Sequence, residues 1–447
     1  MSDTVADPID VPRRPAPRSA LALAVVATAS IAVHIPYALE GPKYLLDDYY
    51  TLWFRQTRGL LGTGGPGQLS ARPGAWLSYL VEFGLLGHHP LLGYLLLASL
   101  DVAAALLLCR ALMRLLPTDV ACSASVLWVV LADHSTLDHW LSTINIVLGL
   151  CLLLLGIERL AAAPRRRGLL VATALLVASG LCYEATLAVS AIALLAVPRM
   201  LGRRVWTGRT AVAEAAVVAT GLWMLLHTRH QLGGGGFDYR ALPMSLFGTG
   251  VVHVQPVADA LLIATFAVFA VSAARQWRRT GDLGCHLVFA GLLLIVAGTL
   301  AFARDPISPL DLGDRVNQVA AIGASLVWTG GIVQLGRTRW PARAGLATAL
   351  VVGCIGYVAR DLDYRDAGRD NAGIIHAVRA EYAAPPRQTV VVGPEYLTHH
   401  GITGMLGPEG QAFDAVTGRQ GWDVFVALNP AQFTSSPPTL RVAVRSP

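Results

Sequence analysis

The sequence predicts an all-α polytopic membrane protein with about eleven transmembrane helices and a small C-terminal α/β tail outside the membrane. Three observations carry that reading. Of 447 residues, 54% are hydrophobic and only 14% charged, against roughly 25% charged in soluble domains; the mean hydropathy is +0.52. Apolar runs long enough to cross a hydrocarbon core recur along the chain. Between them, clusters of Arg alternate with turns that contain Asp, Glu, His or Gly and little Arg, the asymmetry that sets orientation in a bilayer.

The net charge of +6 does not imply a nucleic-acid partner, because the basic residues sit in short groups between apolar runs. Lys43 is the only lysine. The six cysteines lie within or beside apolar runs without metal spacing, as small core residues do. Residues 1–18 are polar and Pro-rich, with Arg13, Arg14 and Arg18 ahead of the first apolar run. That run is long for a signal peptide and no clear Ala-x-Ala cleavage site lies between it and the acids, so it is expected to be a retained first helix with a cytoplasmic N-terminus, in a bacterial inner membrane.

The first span covers 19–39. Residues 40–90 are broken by Gly and Pro and form an external loop, with one or two helices along the interface near 76–86. Further spans are expected at 91–115, 120–131, 140–160, 169–181, 186–197, 210–226, 256–274, 286–302, 316–335 and 345–358. The transmembrane domain thus covers 19–359, and 360–447 is an extracytoplasmic tail. In the tail the pattern gives a helix near 371–382 and strands at 389–392, 423–428 and 440–444.

The candidate chemistry lies where the first span ends, in Tyr44-Leu45-Leu46-Asp47-Asp48-Tyr49-Tyr50. Charge at the edge of a membrane is expensive without a role or a partner. Other polar residues share the predicted depth: Arg72, Asp133, Asp138, His139, Glu184, Asp314 and Arg315. Such a site suits a substrate held by a lipid tail with its reactive group at the surface, as in a polyprenyl-phosphate sugar. Sugar transfer to a hydroxyl needs a carboxylate to accept a proton and cations on the departing phosphate. The planar fork of Arg fits the second role. Successive helical residues point about 100° apart, so the two acids serve different ends: Asp47 as base, Asp48 as an orienting or metal-binding partner. Arg72, Glu184, Arg315, Asp138 and His139 are the candidate substrate-binding residues. No cofactor is required; two acids facing a pyrophosphate would favour a divalent ion such as Mg or Mn, and a monophosphate would not.

Asp47-Asp48-Tyr49, followed by Arg72-Pro73-Gly74-Ala75-Trp76-Leu77-Ser78-Tyr79 and Gly87-His88-His89-Pro90, resembles the GT-C class of membrane glycosyltransferases, and within it the protein O-mannosyltransferase-like branch. Tyr183-Glu184-Ala185 stands where that branch often has Ser-Lys-Glu, and Arg315 where it often has Arg-Tyr. The likeness covers roughly residues 19–335. Gly74 departs from the usual Leu, Tyr183 from Lys and Val316 from an aromatic residue. The resemblance implies the fold and an inverting transfer from a polyprenyl-phosphate donor to a glycan, lipid or protein hydroxyl.

The plainer readings are a helix cap for the acid pair, an interface anchor for Arg315, an exposed acid for Glu184 and a solvated turn residue for His139. Asp101 falls mid-span, where an unpaired carboxylate costs about 2.5 kcal/mol or more, so it is expected to face other helices. Gly233-Gly234-Gly235-Gly236 lacks the Lys-Ser or Lys-Thr of a P-loop. A transporter or lipid flippase would place its charges at the midplane of repeated halves, and no internal repeat is visible. A non-catalytic scaffold of the same fold is the other alternative.

Overall fold

The computed structural model describes residues 16–45, 47–65, 67–87, 89–162, 166–202, 208–228, 260, 264–265, 267–275, 282–300, 317–335, 339–381, 390–392, 407–408, 410–417, 424–426 and 441–442. Among them, four helices are long and apolar enough to cross a membrane: Arg18–Glu40, Pro90–Met113, Leu141–Ala162 and Arg343–Ala380. Shorter apolar helices cover Thr118–Val130, Arg167–Cys182, Ala185–Met200 and Leu283–Thr299.

Helix α1 (Ala16–Glu40) shows how these residues make a membrane helix. Ala22, Val26, Ser30 and His34 recur every fourth position and are buried, while Leu21, Val25, Ile31, Ile35 and Leu39 are exposed. Small and polar side chains therefore face protein and large apolar ones face outward. A water-soluble helix has the reverse arrangement, whereas small residues at the contact let membrane helices approach closely. The buried stripe packs on α5 (Pro90–Met113) and α6 (Thr118–Val130).

Between α1 and α5 the loop expected at 40–90 is built from short helices: α2 (Asp47–Arg58), a 3-10 turn at Leu60–Gly62, α3 (Gln68–Ala71) and α4 (Pro73–Tyr79). Pro73 starts α4, where its missing N–H costs nothing. The chain then winds as a π-helix over Leu80–Leu85, a form concentrated at functional sites. Leu61, Leu69, Leu77 and Leu85 remain exposed, the apolar face of segments lying along an interface.

After α6, the expected outer turn is folded inward. A 3-10 turn (Ala132–His134), α7 (Thr136–His139) and a second 3-10 turn (Leu141–Thr143) lead into α8 (Ile144–Ala162). Helices α9 (Arg166–Cys182) and α10 (Ala185–Met200) follow, then α11 (Gly208–Thr228). Helices α12 (Leu283–Leu300) and α13 (Gln318–Leu335) form the closest pair. A Cβ on Gly291 would lie 2.5 Å from the Gly323 carbonyl oxygen, and one on Gly284 would lie 2.8 Å from that of Gly330. A seam of glycines lets these two backbones touch.

The expected break between a last span and a tail at residue 360 falls inside a single helix, α14 (Arg339–Glu381), of 43 residues and about 65 Å. No proline lies between Pro341 and Pro385, and an Arg360–Asp363 pair bridges one turn. Beyond it, strands β1 (Val390–Val392), β2 (Gly407–Pro408), β3 (Val424–Val426) and β4 (Arg441–Val442) form one sheet in the order β2-β3-β1-β4. β1 is parallel to β3 and β4, and β2 is antiparallel to β3. Helix α15 (Gly410–Thr417) ties the tail to α2: Trp53 Nε1 donates to Asp414 Oδ2 at 3.3 Å, and Gln56 Nε2 to the Ala415 carbonyl at 2.7 Å.

Candidate active site

Asp47 and Asp48 open α2 and part company at once. Asp47 is exposed, whereas Asp48 is fully buried, as a 100° step on a helix requires. Asp48 Oδ1 accepts hydrogen bonds from the Ser142 N–H at 2.8 Å and the Ser142 hydroxyl at 2.5 Å, and Oδ2 accepts from the Leu45 N–H at 2.8 Å. Burial pushes its carboxyl up to about 7, against the pull of those donors. The side chain thus fastens the start of α2 to the turn before α8.

The same turn holds Tyr79. Its hydroxyl donates to the Ser142 carbonyl at 2.9 Å and lies 3.5 Å from Asn145 Oδ1, and Asn145 donates to the Cys182 carbonyl at 3.2 Å. Burial holds the Tyr79 phenol above its ordinary range, with the charges of Asp47, Glu82 and Asp48 adding to the effect and Arg72 opposing it. One tyrosine therefore sits within electrostatic reach of both acids of the pair and of the arginine.

Arg72, between α3 and α4, donates through Nη2 to Glu184 Oε1 at the α9–α10 turn. The pair is only partly covered, while Arg72 Nε and Glu184 Oε2 are themselves buried with no hydrogen-bond partner among the described residues. Gly74 makes this meeting sterically feasible. A Cβ there would lie 2.5 Å from Cys182 Sγ and 2.9 Å from the Cys182 nitrogen, so only glycine lets α4 touch the end of α9. The departure from the usual Leu after Arg-Pro has a local cause.

Glu82, on the π-helix, is a residue the sequence does not single out. It is buried against Gly93, and neither carboxyl oxygen has a hydrogen-bond partner among the described residues. Burial, and after it the charge of Asp48, push this acid well above its ordinary range. Only the energetic oddity of an acid in an apolar interface segment could have marked it.

Asp133, Asp138 and His139 belong to a second group, buried within the bundle. His139 is not the solvated turn residue expected for it. It contacts the Ser135 carbonyl at 2.7 Å through Nδ1, Asp361 through Nε2, and stacks on Tyr364 with ring centroids 4.6 Å apart. The structure sets it, with Asp138, inside this group and not on an open surface. Asp138 Oδ2 accepts from the Tyr357 hydroxyl at 2.9 Å; burial and Asp101 push the acid up to about 6. Asp133 and His134 pair at 2.7 Å; burial opposes the charge on His134, but the bond and charge of Asp133 raise it to about 9. Asp101, as its mid-span position requires, faces other helices and accepts from the Ser30 hydroxyl at 3.3 Å. Arg315, Asp314, His88, Asp259 and the glycine run 233–236 lie outside the described residues.

Two hollows lie near these elements, and neither is lined by Asp47 or Arg72. An apolar groove of about 400 Å³ is lined by Leu69, Pro73, Leu181 and Trp223 among others. A larger cleft of about 880 Å³ lies between α2, α14 and α15 and includes Lys43, Tyr49, Gln56, His376 and Arg379. Asp47 lies about 180° around α2 from Gln56, so the larger cleft does not face the exposed acid. The smaller groove is lined by Pro73, the residue that follows Arg72 in the chain.

The acid pair does not fit a metal centre of its own. Both Asp48 oxygens are occupied by N–H and O–H donors, and Asp47 points elsewhere.

No family model and no curated protein matches this chain. Solved structures with a similar course include the oligosaccharyltransferase of Archaeoglobus fulgidus tethered with an acceptor peptide, at 12% identity and a TM-score of 0.46, covering 93% of this chain and 64% of that one. AglB from the same organism, in complex with an inhibitory peptide and a dolichol-phosphate, aligns at 13% identity and a TM-score of 0.44, with 93% and 64% covered. ArnT from Cupriavidus metallidurans bound to undecaprenyl phosphate aligns at 12% identity and a TM-score of 0.46, with 89% and 88% covered. The chain spans about two thirds of the archaeal enzyme's length. Likeness this distant assigns no reaction, and the functional reading rests on the chain's own residues.

Proposed function

We propose that this protein is a membrane glycosyltransferase of GT-C type, moving a sugar from a polyprenyl-phosphate donor to a hydroxyl on an extracytoplasmic glycan, lipid or protein. The observation that supports the proposal is that an exposed carboxylate, Asp47, and a partly covered guanidinium, Arg72, both lie within electrostatic reach of Tyr79, with an apolar groove lined by the residue after Arg72, Pro73. The alternation of Arg clusters with acidic turns supports a cytoplasmic N-terminus, with this site and the tail outside.

In this reading the prenyl chain lies along Leu69, Pro73, Leu181 and Trp223, and its phosphate meets Arg72. Asp47 accepts the proton of the acceptor hydroxyl as its oxygen bonds to the sugar C1. The C1–O bond to phosphate breaks on the opposite face, which inverts the carbon. Charge gathers on the departing phosphate, where the Arg72 guanidinium supplies the compensating positive charge. Glu184 aims the guanidinium, and Asp48 and Tyr79 hold α2 and α4 in register. Arg315 is proposed as a second phosphate contact. Asp138 and His139 act by holding the 132–143 turn that carries Ser142.

The buried His34–Asp101 pair is the observation a transporter reading would use. It is enclosed by protein, whereas the Asp47–Arg72 region is open, which favours transfer chemistry at the surface. Offering radiolabelled polyprenyl-phosphate sugars to membranes with and without this protein tests the proposal. Label should pass to an acceptor fraction only where the protein is present. Uptake of substrate into liposomes without product would favour the transporter.

A further inference from the structure

We infer that His34, Asp101 and Asp138 form a divalent-cation site that clamps α1, α5 and α7 together inside the bundle and makes no contact with the reacting groups. One ligand atom from each lies within 4.8 Å of the other two. The three side chains come from distant parts of the sequence and are only 5%, 4% and 2% exposed. Their neighbours prepare them for a metal.

The Tyr94 hydroxyl lies 3.3 Å from the His34 carbonyl and 3.1 Å from His34 Nδ1; we take its one hydrogen to go to the carbonyl, which can only accept. Nδ1 then carries the proton and donates to Tyr94, which leaves Nε2 with a bare lone pair. This is the outer hydrogen bond that orients a metal-bound imidazole. Nε2 faces Asp101 Oδ2 at 3.1 Å, two lone pairs that need a cation between them. Asp138 Oδ2 is held by Tyr357, and its Oδ1 is buried with no hydrogen-bond partner among the described residues. That idle oxygen is the third ligand.

Charge points the same way. Two carboxylates and a neutral imidazole leave two negative charges in a region where water cannot solvate them. A divalent ion cancels both. A tetrahedral ion with bonds of about 2.1 Å spaces its ligands about 3.4 Å apart, a separation the His34–Asp101 pair already has within a few tenths of an ångström. Imidazole with carboxylates suits zinc among the first-row ions, and the fourth position is left for water.

The test uses the full chain, tag-free, stripped with chelator and dialysed against zinc. Metal analysis should find about one zinc per chain in the wild type and below about 0.1 in His34→Gln and Asp138→Asn. Asp133→Asn, which alters a neighbouring buried acid outside the trio, should keep the ion. Zinc should raise the wild-type unfolding temperature and leave that of Asp138→Asn unchanged. X-ray absorption at the zinc edge reads the wild type without any variant and should show one imidazole nitrogen, oxygen ligands and no sulfur. A wild type that takes up no zinc would leave a proton between His34 and Asp101 and overturn the inference. So would variants that bind as the wild type does, or a sulfur ligand.

Discussion

Gly74→Ala perturbs the site through geometry alone, adding no charge and removing no polar group. The new Cβ would stand 2.5 Å from Cys182 Sγ, 2.9 Å from its nitrogen and 3.0 Å from its Cα. The sulfur could rotate away, but the backbone atoms cannot. Restoring ordinary contact therefore needs α4 to shift from the end of α9 by several tenths of an ångström. Overpacking of this kind costs about 1–3 kcal/mol, or about 2–6 °C of Tm at the lower end of the usual conversion for larger domains. The functional loss should be larger than the stability loss. Arg72 immediately precedes the shifted helix and would move relative to Glu184, and a misplacement of about 1 Å can cost 100-fold in rate. Thermal unfolding in detergent and transfer of labelled sugar by the same preparation read the two effects. Adding Cys182→Ala should recover little, since the backbone clash persists. A Gly74→Ala protein with wild-type Tm and wild-type transfer would show that the α4–α9 contact does not position Arg72.

Arg72→Ala should lower transfer by about 100-fold or more, as removal of a donor to a developing oxyanion does, and Arg72→Lys should rescue it only in part. The exchange Arg72→Glu with Glu184→Arg should restore stability but not transfer; recovered turnover would assign the arginine a purely structural role. Asp48 has a folded value near 7 against an ordinary 3.8, so between those values the folded state binds more protons than the unfolded chain. Its contribution to stability therefore falls as pH rises from about 4 to about 7 and is level above that. Unfolding measured across this range should show the slope in wild type and lose it in Asp48→Asn. His139→Ala should destabilise the protein by about 3–5 kcal/mol, because it strands Asp361 in the bundle. A loss below 1 °C in Tm would contradict the buried pairing.

Much of the helical layout can be read locally, since apolar length and Arg placement are properties of short windows. The stripe of Ala22, Val26, Ser30 and His34 is visible as a four-residue repeat. The pairing of Arg72 with Glu184 is not, because 112 positions separate them and neither carries a local signal naming the other. Asp101 announces its need of a partner by its position in an apolar run, yet nothing in the sequence names His34 or Ser30. The turn around His139 reads as polar and therefore exposed; Asp361, Tyr357 and Tyr364, all from α14, are what bury it. The break expected at residue 360 follows from a change in composition, but composition does not end a helix that has no proline to stop it. Glu82 is silent in the sequence because a single acid in an amphipathic segment ordinarily faces water.

The most direct test is sugar transfer by Asp47→Asn, measured with labelled polyprenyl-phosphate donor in membranes where the variant is inserted at wild-type levels. Loss of transfer, by about 100-fold or more for removal of a general base, is the predicted result, with Tm unchanged because Asp47 is exposed. Turnover at the wild-type rate would contradict it and remove the carboxylate on which the proposed chemistry depends.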